Sequence, residues 1–249
     1  MCLIAFRWDP GHATPLVVAA NRDEFYARAA SPADWWEGGR ILAGRDLQGG
    51  GTWMGVSRDG RFAALTNIRE PARFDPAAPS RGALVVDFLA GSERAGDYLA
   101  RLLPQADGYN GFNLLVYDGA DVLGLESRAR RVVALAPGVH GVSNAAFHTP
   151  WPKVAALAAA MAGDPDDAAL FAALSDPRVA PDPDLPATGV PLEWERSLSA
   201  AFIRRPDYGT RASTLVRVGR AEVQFTERRF EAGCPAGERR FTFAPCQFQ

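Results

Sequence analysis

Cys2-Leu3-Ile4-Ala5-Phe6-Arg7-Trp8, starting at the second position of the chain, is the stretch whose reading decides the fold. Its apolar, β-rich run predicts a strand that begins at the chain terminus. The cluster Asp9-Pro10-Gly11-His12 then predicts a turn that returns Leu16–Ala20 against it as a hairpin. Hairpin signals recur. Trp53–Ser57 and Phe62–Thr66 flank Arg58-Asp59-Gly60, where Asp-Gly tolerates the positive φ of a tight turn, and Asn67 emerges from the far end. Upstream, Gly49-Gly50-Gly51 either lets the backbone approach a neighbour closely or serves as a flexible connector.

Helical spacing follows. Ser80 is placed to cap a helix running to about Ala90. Ser92 opens a second helix, with Tyr98, Leu99, Leu102 and Leu103 on one side. Phe112–Tyr117, Val122–Glu126 and Arg131–Ala136 return to strand pattern, and Trp151–Gly163 and Asp166–Leu174 read as alanine-rich helices. Asp176–Ala187, with four prolines, predicts an irregular loop; Leu192–Phe202 reads as one more helix. Thr210–Val218, Ala221–Phe230 and Arg239–Phe243 close the chain as a meander. Strands, helices, strands, helices and strands joined by hairpins, without β-α-β crossovers, predict an α+β fold of two stacked antiparallel sheets covered by helices.

The 249 residues, 47% of them hydrophobic, suffice for a substantial core, and no low-complexity tract or charge run divides them, so residues 1–249 read as one domain. A net charge of −2 with dispersed basic residues argues against nucleic acid as a partner. No apolar stretch approaches the ~20 residues of a membrane span, and no secretory leader precedes Cys2, which points to a cytoplasmic protein. Cys2, Cys234 and Cys246 form no C-x-x-C pair, and His12, His140 and His148 show no H-x-x-x-H spacing, so neither a metal site nor a disulfide framework is expected. Of 27 basic residues only Lys153 is a lysine, a bias attributable to a GC-rich genome.

Removal of Met1, usual before a small residue, would leave a thiol and an α-amine on one carbon. Such groups titrate unperturbed near about 8.5 and about 7.7–8.0, so modest shifts supply a nucleophile and its base at neutral pH. The competing reading makes Cys2 a small apolar residue opening an edge strand. Asn21-Arg22-Asp23-Glu24 follows by one hairpin, and Asn67, Asn144 and Arg211 fall at predicted strand ends. Together they offer a nucleophile, a proton carrier and oxyanion donors. Neighbouring residues on a strand face opposite sides, so either Arg22 and Glu24 or Asn21 and Asp23 share a face. Trp35, Trp36, Trp53 and Trp151 are candidate linings for an apolar cleft. No G-x-S-x-G elbow or glycine-rich phosphate loop is present.

Met1-Cys2 with Asn21-Arg22-Asp23-Glu24-Phe25 resembles the signature of the NRDE family, the transport and Golgi organisation protein family. Gly49–Trp53, Leu65-Thr66-Asn67, Gly141-Val142-Ser143-Asn144 and Thr210-Arg211-Ala212-Ser213-Thr214 extend the likeness over most of the chain. The spacing is also similar to the N-terminal-nucleophile amidases of the penicillin V acylase, bile salt hydrolase and acid ceramidase group. That resemblance implies an αββα sandwich with Cys2 as nucleophile, Asn67 and Asn144 at oxyanion or amine-orienting positions, and Arg211 as a late electrostatic group. Arg22 and Asp23 would tune the thiol, with Asn21, Glu24 and Trp53 on the ligand. The amidases separate Arg and Asp by three positions; here Arg22 and Asp23 are adjacent, and a literal overlay puts Asn21 and Glu24 in their place. The implied activity is cleavage of a linear amide or thioester of a largely apolar small molecule, without a resident cofactor. The family likeness also implies an alternative: a carrier of haem, with Cys2 or a histidine as axial ligand, or of a lipid or acyl-CoA. A role in organising the secretory pathway is the third implication.

Overall fold

In the computed structural model, which describes residues 2–246, the chain opens with six strands: β1 (Cys2–Trp8), β2 (Leu16–Phe25), β3 (Ala30–Trp35), β4 (Ile41–Asp46), β5 (Met54–Ser57) and β6 (Phe62–Asn67). Two helices follow, α1 (Gly82–Ala90) and α2 (Ala95–Leu102), then β7 (Phe112–Tyr117), β8 (Val122–Glu126), β9 (Arg131–Ala134) and β10 (Gly138–Val142). Helices α3 (Pro152–Ala160), α4 (Asp167–Leu174) and α5 (Leu192–Leu198) lead into β11 (Tyr208–Val218), β12 (Val223–Glu231) and β13 (Cys234–Phe243). One sheet has the order β10-β1-β2-β11-β12-β13 and the other β3-β4-β5-β6-β7-β8-β9, with every pairing antiparallel.

Side-chain alternation builds the layers. Ile4, Phe6 and Trp8 of β1 and Leu16, Val18 and Ala20 of β2 point to the second sheet, where Met54, Val56, Phe62, Ala64 and Leu115 meet them. The intervening Leu3, Ala5, Val17 and Ala19 face outward, against Val154 and Leu157 of α3 and Leu170, Phe171 and Leu174 of α4. The far side of the second sheet, Ala63, Leu65, Leu114 and Val116, packs on Leu84, Val85, Phe88 and Leu99 of α1 and α2. The fold is α+β, two antiparallel sheets face to face with helices over both outer surfaces. At about 1.5–3 kcal/mol for each large apolar side chain fully buried, these three clusters are the main source of its stability.

The structure departs from the sequence expectation at identifiable places. β2 runs on through Phe25 instead of ending at Ala20, so the NRDE run is itself strand, paired to β1 on one side and β11 on the other. β3, β4 and β10 were not expected. β3 carries Pro32, which an edge strand tolerates, and β3 is an edge. Ser80 makes no cap; Arg81 holds the N-cap position of α1 without a side-chain bond. α5 stops at Leu198. Among the described residues no helix is long and apolar enough to cross a membrane.

Candidate functional site at the Cys2 end of the sheets

Cys2 heads β1 directly opposite Arg22 of β2, on the side that Ile4 and Ala20 share, between the sheets. Beyond those two residues the apolar filling gives way to a cavity of about 550 Å³. Cys2, Arg22, Asp23, Glu24, Trp53 and Asn67 all line it, along with Leu65, Phe74, Pro76, Pro79, Arg28, Asp46 and Arg81. Cys2 is only 5% exposed. Burial pushes its thiol up to about 11, with Asp23 and Glu24 adding to the rise and Arg22 opposing it.

The strand divides the NRDE run between two environments. Arg22 and Glu24 share the Cys2 side, and the Arg22 Nη2 lies 3.9 Å from Glu24 Oε2 and 3.8 Å from Asp46 Oδ2. Arg28, on the turn after β2, donates its Nε to Asp46 Oδ2 at 2.7 Å. Burial works to raise the Asp46 carboxyl, but the Gly49 N–H and Arg28 outweigh it and hold the group below its ordinary range. Asn21 and Asp23 face the helices. The Asn21 amide donates to the carbonyls of Leu174 and Ala201, both at 2.8 Å, and its oxygen accepts from Ser213 Oγ at 2.6 Å. Asn21 is therefore turned from the cavity, contrary to the ligand contact expected of it. Asp23 accepts from Thr210 Oγ1 at 2.7 Å; burial pushes its carboxyl up while the Lys153 ammonium pulls it down. It sits close enough to the sheet's end to line the cavity as well.

Asn67 ends β6 and lines the cavity, but Asn144 does not. The Asn144 Nδ2 donates to the Asn67 backbone carbonyl at 2.8 Å, and Ser143 Oγ donates to the Cys2 carbonyl at 2.8 Å. The segment after β10 thus clamps the backbones of both cavity residues. Arg211 sits in a β-bulge, where Thr210 pairs with Asp23 and Ala212 with Arg22. Its Nη1 donates to the carbonyls of Phe25, Tyr26 and Arg28 at 3.0–3.3 Å, so it supports the turn that carries Arg28. Arg211 lines a narrower pocket of about 50 Å³, shared with Arg22, Asp46 and Trp53.

Sequence reasoning missed Arg28, Asp46, Arg81 and Lys153. Asp46 lies in a strand that was not expected, whereas Arg28 was within reach, since it follows the NRDE run by one turn. The glycine run was the signal for the cavity wall: a Cβ on Gly51 would lie 2.4 Å from the Gly82 carbonyl carbon, so only glycine lets this loop meet the start of α1. His12, His140 and His148 do not line the cavity. No cluster of three or more metal-ligating side chains occurs among the described residues.

A family profile described as Transport and Golgi organisation 2 matches residues 1–232. The Transport and Golgi organization protein 2 homolog of Bos taurus is 40% identical over 92% of both chains, and that of Homo sapiens 36% identical over 92% of both. Transport and Golgi organization protein 2 of Drosophila melanogaster is 32% identical over 62% of this chain and 61% of its own. Among solved structures, the C2A mutant of a conjugated bile acid hydrolase from Clostridium perfringens aligns over 98% of this chain and 92% of that one, at 9% identity and a TM-score of 0.47.

Proposed function

The chain belongs to the Transport and Golgi organisation 2 family, and on that footing we propose that it is a cysteine amidohydrolase of the N-terminal-nucleophile type. Its substrate is a linear amide, or a thioester, of a largely apolar small molecule. The observation that carries this reading is Cys2, at the head of β1 beside Arg22, lining a cavity whose walls mix the apolar surface of Trp53, Leu65 and Phe74 with charge. Met1 lies outside the described residues; its removal frees the Cys2 α-amine. That amine takes the thiol proton, Sγ bonds to the acyl carbon, and the carbon–nitrogen bond breaks as the ammonium returns the proton to the leaving amine. Water then attacks the thioester, releasing the acid and restoring the thiol. The α-ammonium and Arg22 oppose the burial that raises the thiol pKa. The Asn67 amide is the side-chain donor available to the oxyanion, and Asp23 steadies the α-ammonium. Asn144 and Arg211 act at one remove, through Asn67 and the Arg28 turn.

Intact mass of the native protein, with turnover of a panel of acyl amides and acyl thioesters, tests the reading. The expected results are a chain lacking Met1 and a fall in kcat/KM of roughly 10³-fold or more in Cys2→Ala. A retained Met1, or equal turnover in Cys2→Ala, overturns it. One observation favours a second reading: Cys2 is only 5% exposed at the cavity wall, which suits a carrier of an apolar ligand such as haem or acyl-CoA. Unchanged binding of those ligands by Cys2→Ala, with no turnover by either form, selects the carrier.

A further inference from the structure

Cys2, Arg22, Ala212 and Arg229 stand in one row across β1, β2, β11 and β12, each paired in register with the next. Alternation puts all four side chains on the face turned to the second sheet, since Ile4, Ala20, Val216 and Phe225 of the same strands fill the core there. Ala212 is thus a gap between two long cations. Arg22 and Arg229 flank its methyl group, and all three line the narrow pocket of about 50 Å³ that adjoins the Cys2 cavity at Arg22, Asp46 and Trp53. Neither guanidinium is satisfied. Arg22 is 9% exposed, yet it makes no hydrogen bond among the described residues, and its ion pairs with Glu24 and Asp46 are 3.9 and 3.8 Å long. Arg229 makes none either; it stands 3.8 Å from Glu231, which is turned to solvent. Buried donors of this kind are ordinarily bonded, so two guanidinium forks left unspent over one niche point to a missing acceptor. Arg45 and Arg211 complete the lining, with the carboxylates of Asp46 and Glu227 against them. Four guanidiniums to two carboxylates leave a surplus of two positive charges. Both carboxylates are already engaged, Asp46 with Arg28 and the Gly49 N–H, Glu227 with the Ala33 N–H at 2.8 Å.

We propose that the niche over Ala212 is the seat of a phosphate monoester carried on the amine half of the substrate. This rests on the amidohydrolase reading and names the substrate class within it, an N-acyl aminoalkyl phosphate. Such an ester is close to a dianion at neutral pH, which matches the charge surplus, and its oxygens accept from two guanidinium forks at once. Adjacent strands lie about 4.8 Å apart, so the niche is about 10 Å along the row from Cys2. A linker of about two or three carbons between the amide nitrogen and the phosphate ester, at ~1.5 Å a bond, covers most of that interval. The acyl half then lies against Leu65 and Phe74. The bonds that form and break are unchanged; the aminoalkyl phosphate is simply the amine that leaves.

Turnover of an N-acyl ethanolamine and of its phosphate ester tests the seat, with the N-acyl taurine and N-acyl β-alanine counterparts as singly charged controls. Wild type is expected to favour the phosphate by about 100-fold in kcat/KM over the uncharged amide and by about tenfold over either monoanion. Arg229→Met removes one fork and keeps an apolar stem, while Ala212→Val fills the niche; thermal melting checks that both fold. Each is expected to cost at least about tenfold on the phosphate and less than about twofold on the uncharged amide. Inorganic phosphate, followed by ³¹P line broadening, is expected to bind wild type and to bind both variants more weakly. A wild type that prefers the uncharged amide or a monoanion, or variants that lose both substrates equally, overturns the proposal. Should no amide be turned over, the amidohydrolase reading falls and the phosphate titration decides the seat alone, equal binding by wild type and Arg229→Met overturning it.

Discussion

The two faces of β2 at the NRDE run, one residue apart in sequence, contrast sharply in how their polar groups are held. On the helix side Asn21 uses both amide hydrogens and its oxygen on fixed partners at 2.6–2.8 Å. On the cavity side Arg22 stands 3.8–3.9 Å from two carboxylates, bonded tightly to neither, with open space in front of it. The outer pair ties the sheet to α4 and the segment before β11; the inner pair is free to re-pair with a ligand. A four-residue motif of this kind therefore mixes structural and chemical duties, and matching its letters does not separate them.

Three measurements press on that contrast. Asn21→Ala strands two buried carbonyls and the Ser213 hydroxyl. At about 1–3 kcal/mol for each stranded polar group, it is expected to lower the unfolding free energy by about 3 kcal/mol or more in urea titration. A loss under about 1 kcal/mol would mean that the outer face is no more structural than the inner. Glu24→Gln is expected to change stability by no more than about 1 kcal/mol, since its ion pairs are long and partly solvated. The same change removes an anion that pushes the Cys2 thiol up, so alkylation of Cys2 by iodoacetamide at fixed pH should quicken by a factor of a few. Slower alkylation would show that Glu24 does not act on the thiol.

The smallest effect is expected further along the inner face, where His140 stacks on Phe6 at 5.1 Å. His140 Nε2 donates to the Ala136 carbonyl at 2.7 Å, so its Nδ1 accepts from His148 Nε2 at 2.8 Å, a tautomer assigned from these partners. Burial holds the His140 imidazole below its ordinary value, with the Ala136 carbonyl opposing. Its folded value is thus lower than its unfolded one. The stability it contributes is present above the unfolded value and is lost as pH falls through the folded one. Tm should fall between neutral pH and about pH 5, and fall less in His140→Gln; equal slopes would remove His140 from the account.

Much of the fold was legible. The β1 and β2 hairpin, the Asp59-Gly60 turn and both helix pairs followed from alternation and turn chemistry, because those segments bury one continuous apolar face. The rest was hidden where tertiary pairing overrides local preference. Asn21, Arg22, Asp23 and Glu24 are poor strand formers by composition, yet flanking ladders from β1 and β11 hold them extended. β10 opens on Gly138 at φ +146 and lacks alternation, so it carried no strand signal. For the site, the sequence offered Cys2, Arg22, Asp23, Glu24 and Asn67 of the residues that line the cavity. It supplied neither Asp46, which comes from an unrecognised strand, nor Lys153, which is buried only because α3 lies across β1.

Gly51 and Gly82 meet with no side chain between them, and a methyl group on Gly51 would collide with main chain that has nowhere to retreat. That bank of the ligand chamber cannot be rebuilt by ordinary substitution. Adapting the protein to bulkier or slimmer guests falls to Phe74, Pro76 and Pro79, exposed residues outside both sheets that line the same chamber.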